Sequence, residues 1–321
     1  ADVSKTTVSH DINETRNVED ETTQRVREAI PELDYRPSMV ARGLALQRTH
    51  TLGLVIVDMT NPFFSELACG VLDAAGDQGY DVFVCNSGAK IKAEMRALFS
   101  LADHNADGVI IFPSWRNEER LREFAERNRP LVVVNRDFRP QPGIGQIFMD
   151  TYKGARLAVD HLAGQGHQAI GMLAGYVAYS PVFRRVRGFG DAMDAHGLPV
   201  EDGWVRPVAQ PTIVQGRKAT AKLLSQHPEL TAIFAYNDLL AMGAIQTCRE
   251  MGRRVPEDCA IVGFDDIQMA ELFTPSLTTI RVDKYELGMK AVALLLKMLE
   301  DPETEVQPVF LDVELVVRES A

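Results

Sequence analysis

From Thr51 onward, apolar runs of strand length alternate with longer stretches of helical periodicity, and this alternation narrows the fold more than any other feature. A first series of strands reads TLGLVIVDM from Thr51, YDVFVCN from Tyr80, DGVIIFP from Asp107 and PLVVVNR from Pro130. A second reads QAIGMLAG from Gln168, WVRPV from Trp204, TAIFAYN from Thr231 and CAIVGFDD from Cys259. Helices fall between them; Ala241, Ile245 and Cys248, at i, i+4 and i+7, form one apolar stripe that faces a sheet. The pattern predicts an α/β chain with two doubly wound parallel-sheet subdomains. TTIRVDKYELG, from Thr278, is expected to return the chain to the first subdomain, and PVFLDVELVV, from Pro308, to the second. The first core subdomain is then 51–150 plus 281–307, and the second 151–280 plus 308–321. Several crossings make a hinged clamshell, and open α/β sheets bind ligands beyond the carboxyl ends of their strands.

Composition sets the outer limits. At 321 residues the chain exceeds the usual single domain, and its hydrophobic and charged contents, 45% and 25%, are those of a globular protein. No stretch approaches a membrane span, and the N-terminus lacks the basic-then-apolar order of a secretory signal, so a soluble, cytoplasmic protein without a membrane partner is expected. Cys69, Cys85, Cys248 and Cys259 stand singly in apolar patterns and read as small buried hydrophobes. The formal net charge of −11 excludes a surface that coats nucleic acid as a whole. Any DNA contact must be local.

The first 50 residues are of a different kind. In VSKTTVSHDIN, Ser4 is a good N-cap, and Val8 and Ile12 give a narrow apolar face, with Thr6 and His10 on the opposite side. A short helix with hydroxyl and polar side chains on its outer face suits the major groove. An exposed polar helix reads the same way.

Elsewhere the chemistry points to binding. DMTNPFFSELACGV puts Asn61, Phe63 and Phe64 just after the first core strand, where two aromatic faces beside an amide suit the C–H surface and hydroxyls of a sugar ring. A core pair on a helix fits that spacing as well. Trp115 ends the third strand and reads either as a cleft residue or as part of a surface loop. The chain has no GxxxxGK[ST] phosphate loop, no HExxH and no GxSxG elbow, and no histidine pair has metal-ligand spacing. Neither catalysis, a metal nor a cofactor is expected.

Taken in register, VSKTTVSHDIN, NVEDETTQRVREAIPELDYRPS and MVARGLALQRT resemble the headpiece of LacI/GalR transcription regulators, covering recognition helix, third helix and hinge. The resemblance implies a partial helix-turn-helix headpiece over 1–35 and a hinge helix and linker over 36–50. The family's first helix precedes the VSKTTVS segment, so the headpiece is expected to be truncated. Lys5, Thr6 and His10 would read bases, while Thr7, Ser9 and Asn13 approach phosphates. Leu44 would insert into the minor groove and kink the duplex.

Residues 51–321 resemble LacI-family effector domains and ribose-binding proteins, a periplasmic-binding-protein-like clamshell. The sugar contacts of that pattern match Asn61, Phe63, Phe64, Arg136, Arg185, Asn237 and Asp265. Asn135 stands where the ribose pattern has Asp, and Val282 where it has Gln. Arg184 and Arg187, which flank Arg185, read as solvated helix residues. The function implied is a sugar-responsive regulator that binds palindromic operator DNA as a homodimer and a monosaccharide-like effector between its lobes. A heptad tail for tetramer formation is not expected. A periplasmic-type sugar-binding protein of a transport system shares the clamshell, and an enzyme on a Rossmann-like scaffold is the third reading.

Overall fold

The computed structural model describes residues 3–4, 7–8, 18–32, 48–113, 118–127, 130–136, 138–139, 141–175, 180–301 and 305–321. Ahead of the core, the described residues include the helix α1 (Asp20–Glu32). The first lobe then alternates β1 (Thr51–Ile56), α2 (Pro62–Gly76), β2 (Asp81–Asn86), α3 (Ile91–Asp103), β3 (Gly108–Ile111), α4 (Glu118–Arg127), β4 (Leu131–Val134) and β5 (Ile144–Met149). The second runs α5 (Thr151–Gly164), β6 (Ile170–Ala174), α6 (Ser180–Ala195), β7 (Val205–Pro207), α7 (Ile213–Gln226), β8 (Ala232–Ala235), α8 (Asp238–Glu250), β9 (Ala260–Asp265), α9 (Met269–Leu272) and β10 (Thr278–Arg281). The chain then returns through α10 (Lys284–Glu300) and β11 (Val309–Leu311) and ends with β12 (Glu314–Val316).

Two six-stranded sheets result, ordered β11-β5-β4-β3-β1-β2 and β12-β10-β9-β8-β6-β7. All neighbours are parallel except β10 and β12. The continuous apolar runs of β1 and β9 are buried along their whole length, as strands covered on both faces require. In the first lobe, Leu67, Val71, Leu287 and Leu295 of α2 and α10 fill one face, and Leu98, Leu121 and Phe124 of α3 and α4 the other. The edge strand β2 alternates in exposure and leaves Phe83 half exposed.

The returning chain crosses within TTIRVDKYELG: Thr278–Arg281 pairs in parallel with β9 in the second lobe, and the crossing comes at Val282 and Asp283. The structure corrects the path of the last segment, which does not go straight from Pro308 to the second lobe. Val309–Leu311 pairs with β5 in the first sheet, and only Glu314–Val316 joins the second, beside β10. Strand β5 is absent from the sequence reading because Gly145 and Gln146 interrupt its apolar run, although every residue of the strand is buried. Cys69 is exposed, not a core residue, whereas Cys248 and Cys259 are buried.

Helices α2 and α10 approach to backbone contact. A Cβ on Gly70 would fall inside the shell of the Tyr285 carbonyl oxygen, and one on Gly288 inside that of Leu67. Helices α7 and α8 meet in the same way through Gly216 and Gly243. Because backbone cannot yield as a side chain does, Gly70→Ala should destabilise the chain by about 1 to 3 kcal/mol in urea unfolding. Gly76→Ala, facing open space at the end of the same helix, should be neutral or stabilising by up to about 1 kcal/mol.

Candidate functional site

Each of the three crossings between lobes uses the carboxyl end of a strand: β5 at Met149, β10 at Arg281 and β11 at Leu311. The carboxyl edges of both sheets are therefore held together. The Asp150 N–H donates to the Leu311 carbonyl (3.1 Å) and Lys153 pairs with Asp312 (2.5 Å), while within the second sheet Arg281 Nη1 pairs with Glu314 of the neighbouring strand (2.9 Å). Six of the seven expected effector residues lie at strand ends or the helix starts that follow them; Arg185 lies within α6.

On the first lobe, Asn61 caps α2, its Oδ1 accepting from the Phe63 N–H (3.1 Å), with Pro62 at the first helical position. Phe63 is buried, and its ring meets Phe64 edge-on at 5.2 Å; Phe64 in turn meets Phe112 at 5.3 Å. Phe63 thus serves the core, and the half-buried Phe64 is the more accessible ring. Arg136 is buried at the end of β4, beside Asn135, whose Oδ1 accepts from the Met149 N–H (2.8 Å).

On the second lobe, Asn237 caps α8: its Oδ1 accepts from the Leu240 N–H (3.0 Å) and its Nδ2 donates to the Pro211 carbonyl (3.3 Å). Both ends of this amide are committed to the fold. Arg185 is 2% exposed, its guanidinium carbon 3.6 Å from the Phe264 ring centroid and 4.2 Å from that of Tyr236. Its Nη1 donates to the Tyr236 carbonyl, while the buried Nε has no hydrogen-bond partner among the described residues. Aromatic faces stabilise the cation where water cannot. Arg187 is exposed and pairs with Asp191, as expected, but Arg184 is half covered, lying 5.0 Å from the Phe148 ring.

Asp265 ends β9 at φ 111°, followed by Asp266 at φ 53°. Burial pushes its carboxyl up to about 7, against the pull of Arg185 and Lys284. Asp238 is likewise pushed well up, by burial and by the neighbouring Asp265. It accepts from the Thr279 hydroxyl (2.5 Å) and the Ile267 N–H (2.8 Å), which gives it a structural task. Tyr236, Phe264, Asp238 and Lys284 did not emerge from the sequence. A lysine opening a helix, against the dipole at that end, was the available signal for Lys284.

Of the expected DNA contacts, Lys5, Thr6, Ser9, His10, Asn13 and Leu44 lie outside the described residues, as does Trp115. Thr7 is described: its N–H donates to Ser4 Oγ (3.1 Å), the N-cap bond expected of Ser4. Among the described residues no helix is long and apolar enough to cross a membrane, and no group of three His, Cys, Asp or Glu side chains is placed to hold a metal.

Residues 49–315 match the family model of periplasmic binding proteins and the sugar binding domain of the LacI family, and residues 1–38 match that of bacterial regulatory proteins of the lacI family. The chain belongs to the LacI family. It is 36% identical to the HTH-type transcriptional repressor PurR of Aliivibrio salmonicida over 321 residues, covering 100% of this chain and 96% of the relative. The lac repressor dimer bound to operator and the anti-inducer ONPF superposes with a TM-score of 0.86 at 26% identity, covering 99% and 95% of the two chains. The CelR–cellobiose complex does so at 0.79 and 29%, covering 99% and 96%. A LacI family regulator of Enterococcus faecium with bound ribose matches at 0.75 and 31%, covering 84% of this chain and 98% of that one.

The elevated Asp265 carboxyl carries a stability signature. Its folded value, about 7, lies above the unfolded value near 4, so the folded state binds the proton more tightly and stability is lost as pH rises through that window. Asp265→Asn removes this loss. Between about pH 5 and pH 8 the variant should lose roughly 2 to 4 kcal/mol less than the parent in urea unfolding; equal losses would mean the carboxyl titrates as it does in water.

Proposed function

We propose that this chain is a transcriptional repressor that binds a palindromic operator as a homodimer and a monosaccharide effector between its lobes. One observation carries the reading: a lacI-type regulatory segment at 1–38 and an effector domain at 49–315 occur in one chain. A transport-type binding protein needs only the second. The PurR relatives and the operator-bound lac repressor dimer support the repressor and dimer readings, and the cellobiose and ribose complexes support a sugar. We infer a cytoplasmic location from the same reading, since a repressor must meet its operator.

In this reading Phe64, backed by Phe63, walls the sugar, Arg185 and Arg136 donate to its oxygens, and the Asp265 carboxylate accepts from its hydroxyls. Asn61 and Asn237 act by fixing the helix starts beside the ligand, with the Asn61 amide nitrogen left to donate. By resemblance, Lys5, Thr6 and His10 contact bases, Thr7, Ser9 and Asn13 contact phosphates, and Leu44 wedges the minor groove. A ligand that touches both lobes favours the closed arrangement by its difference in affinity for the two states, and so changes the spacing of two headpieces in a dimer.

Calorimetry against a panel of pentoses, hexoses and purine bases tests the effector. A monosaccharide should bind, Asp265→Ala should weaken it about tenfold or more by loss of a charged acceptor, and Arg187→Ala should change it little. Purine binding without sugar binding would overturn the effector class, and unaltered binding by Asp265→Ala would overturn the site. For DNA, Leu44→Ala should reduce gel-shift affinity for a palindrome with a central pyrimidine–purine step. A mass of 35.6 kDa by light scattering at micromolar concentration would contradict the dimer.

A further inference from the structure

The α10 helix opens on a buried cation. Lys284 is 3% exposed, and its ammonium donates to three backbone carbonyls: Asp265 (3.0 Å), Asp266 (2.9 Å) and Val282 (3.2 Å). A fourth oxygen, Glu66 Oε2, lies at 3.4 Å and comes from α2, which packs beside α10 in the first lobe, opposite the Asp265–Asp266 turn of the second. No local preference puts a lysine there. The positive end of a helix dipole repels it, and a long side chain loses rotamer freedom on burial.

What the ammonium holds is a strained turn. Asp265 and Asp266 occupy positive φ in succession, a conformation that residues with a Cβ adopt only when the surroundings impose it. From the other side, the Asp266 carboxylate is gripped by Arg281 Nε (2.7 Å) and Arg318 Nη2 (2.8 Å). These two clamps fix the turn that ends β9, and the first also connects it to the helix that carries Phe63 and Phe64.

We propose that Lys284 is a positioning residue of the effector site, which gathers the carbonyls of the Asp265–Asp266 turn to set where the Asp265 carboxylate stands and, through Glu66, ties that turn to the first lobe. The proposal rests on the effector reading of Asp265. The charged and titratable groups that face this carboxyl are Arg185 from α6, Asp238 from α8, Tyr236 at the end of β8 and Lys284 from α10, with Asp266, Arg281 and Arg318 alongside. Lys284 favours its ionised form, and Glu66 lies at 3.4 Å from the same ammonium, so its negative charge opposes that of Lys284. Removing either should therefore move the Asp265 titration, in opposite directions.

The test is a 13C carboxyl NMR titration of the ligand-free full chain, with the Asp265 signal assigned by its loss in Asp265→Asn. Lys284→Met should raise the Asp265 midpoint by about one pH unit or more, and Glu66→Gln should lower it. A lysine that only fills space would leave the midpoint where it is. An unmoved midpoint in Lys284→Met, or a raised one in Glu66→Gln, overturns the proposal. Glu66 is half exposed, so its variant should fold even if Lys284→Met does not, and an unmoved midpoint in Glu66→Gln is then decisive against it. No ligand enters the experiment, so failure of the effector reading would show separately, as Asp265→Ala binding sugar like the parent.

Discussion

The chain passes between its two sheets three times, and each passage uses the carboxyl end of a strand. In a right-handed βαβ fold those ends share one edge, which also collects the helix N-termini. Joining two such edges by three short links turns the carboxyl edges of the two sheets towards each other. The candidate ligand residues belong to four separate strand ends, with the helix starts that follow them, and one helix, and proximity in sequence would never unite them. The topology of the crossings does.

At that shared edge the chain concentrates polar groups that water cannot reach. Arg185 lies against two aromatic faces with no carboxylate partner among the described residues, Asp265 is pushed towards neutrality, and Lys284 is satisfied by backbone oxygens. Each group has been removed from water at a cost that only partners of the right geometry offset. The proposed effector class follows from this chemistry: a ligand rich in hydroxyls would offer acceptors to the guanidinium and donors to the carboxylate at once.

Much of the fold was legible because its strands are unbroken apolar runs; all eight runs marked in the sequence became strands. β5 was hidden by Gly145 and Gln146, and the C-terminal run was misassigned because an apolar stretch does not say which of two sheets it will join. In the site, the residue types at strand ends were visible, but their tasks were not. Asn61 and Asn237 read as ligand amides, yet each begins a helix, a role that the sequences TNPFF and YNDLL carry equally well. Lys284 escaped notice because its partners are backbone carbonyls, which no side-chain pattern reveals.

The caps at the crossings have a mechanical consequence. Glycine contacts lock α2 to α10 and α7 to α8, so bending is confined to the links, and two of these links, Asp150 and Asp283, are themselves helix caps. Asp150, at ψ 72°, belongs neither to the strand before nor to the helix after, and Asp283, at ψ 92°, is still extended where the helix begins. Turning one lobe against the other must rotate these residues, and so trades against the hydrogen bonds that their carboxylates accept from Lys153 (2.9 Å) and Glu286 (2.7 Å). Such caps are worth about 1 kcal/mol each, whereas a micromolar ligand brings about 8 kcal/mol. The joint is therefore soft relative to the force that works it, and part of its stiffness resides in two carboxylates whose shown task is to cap helices.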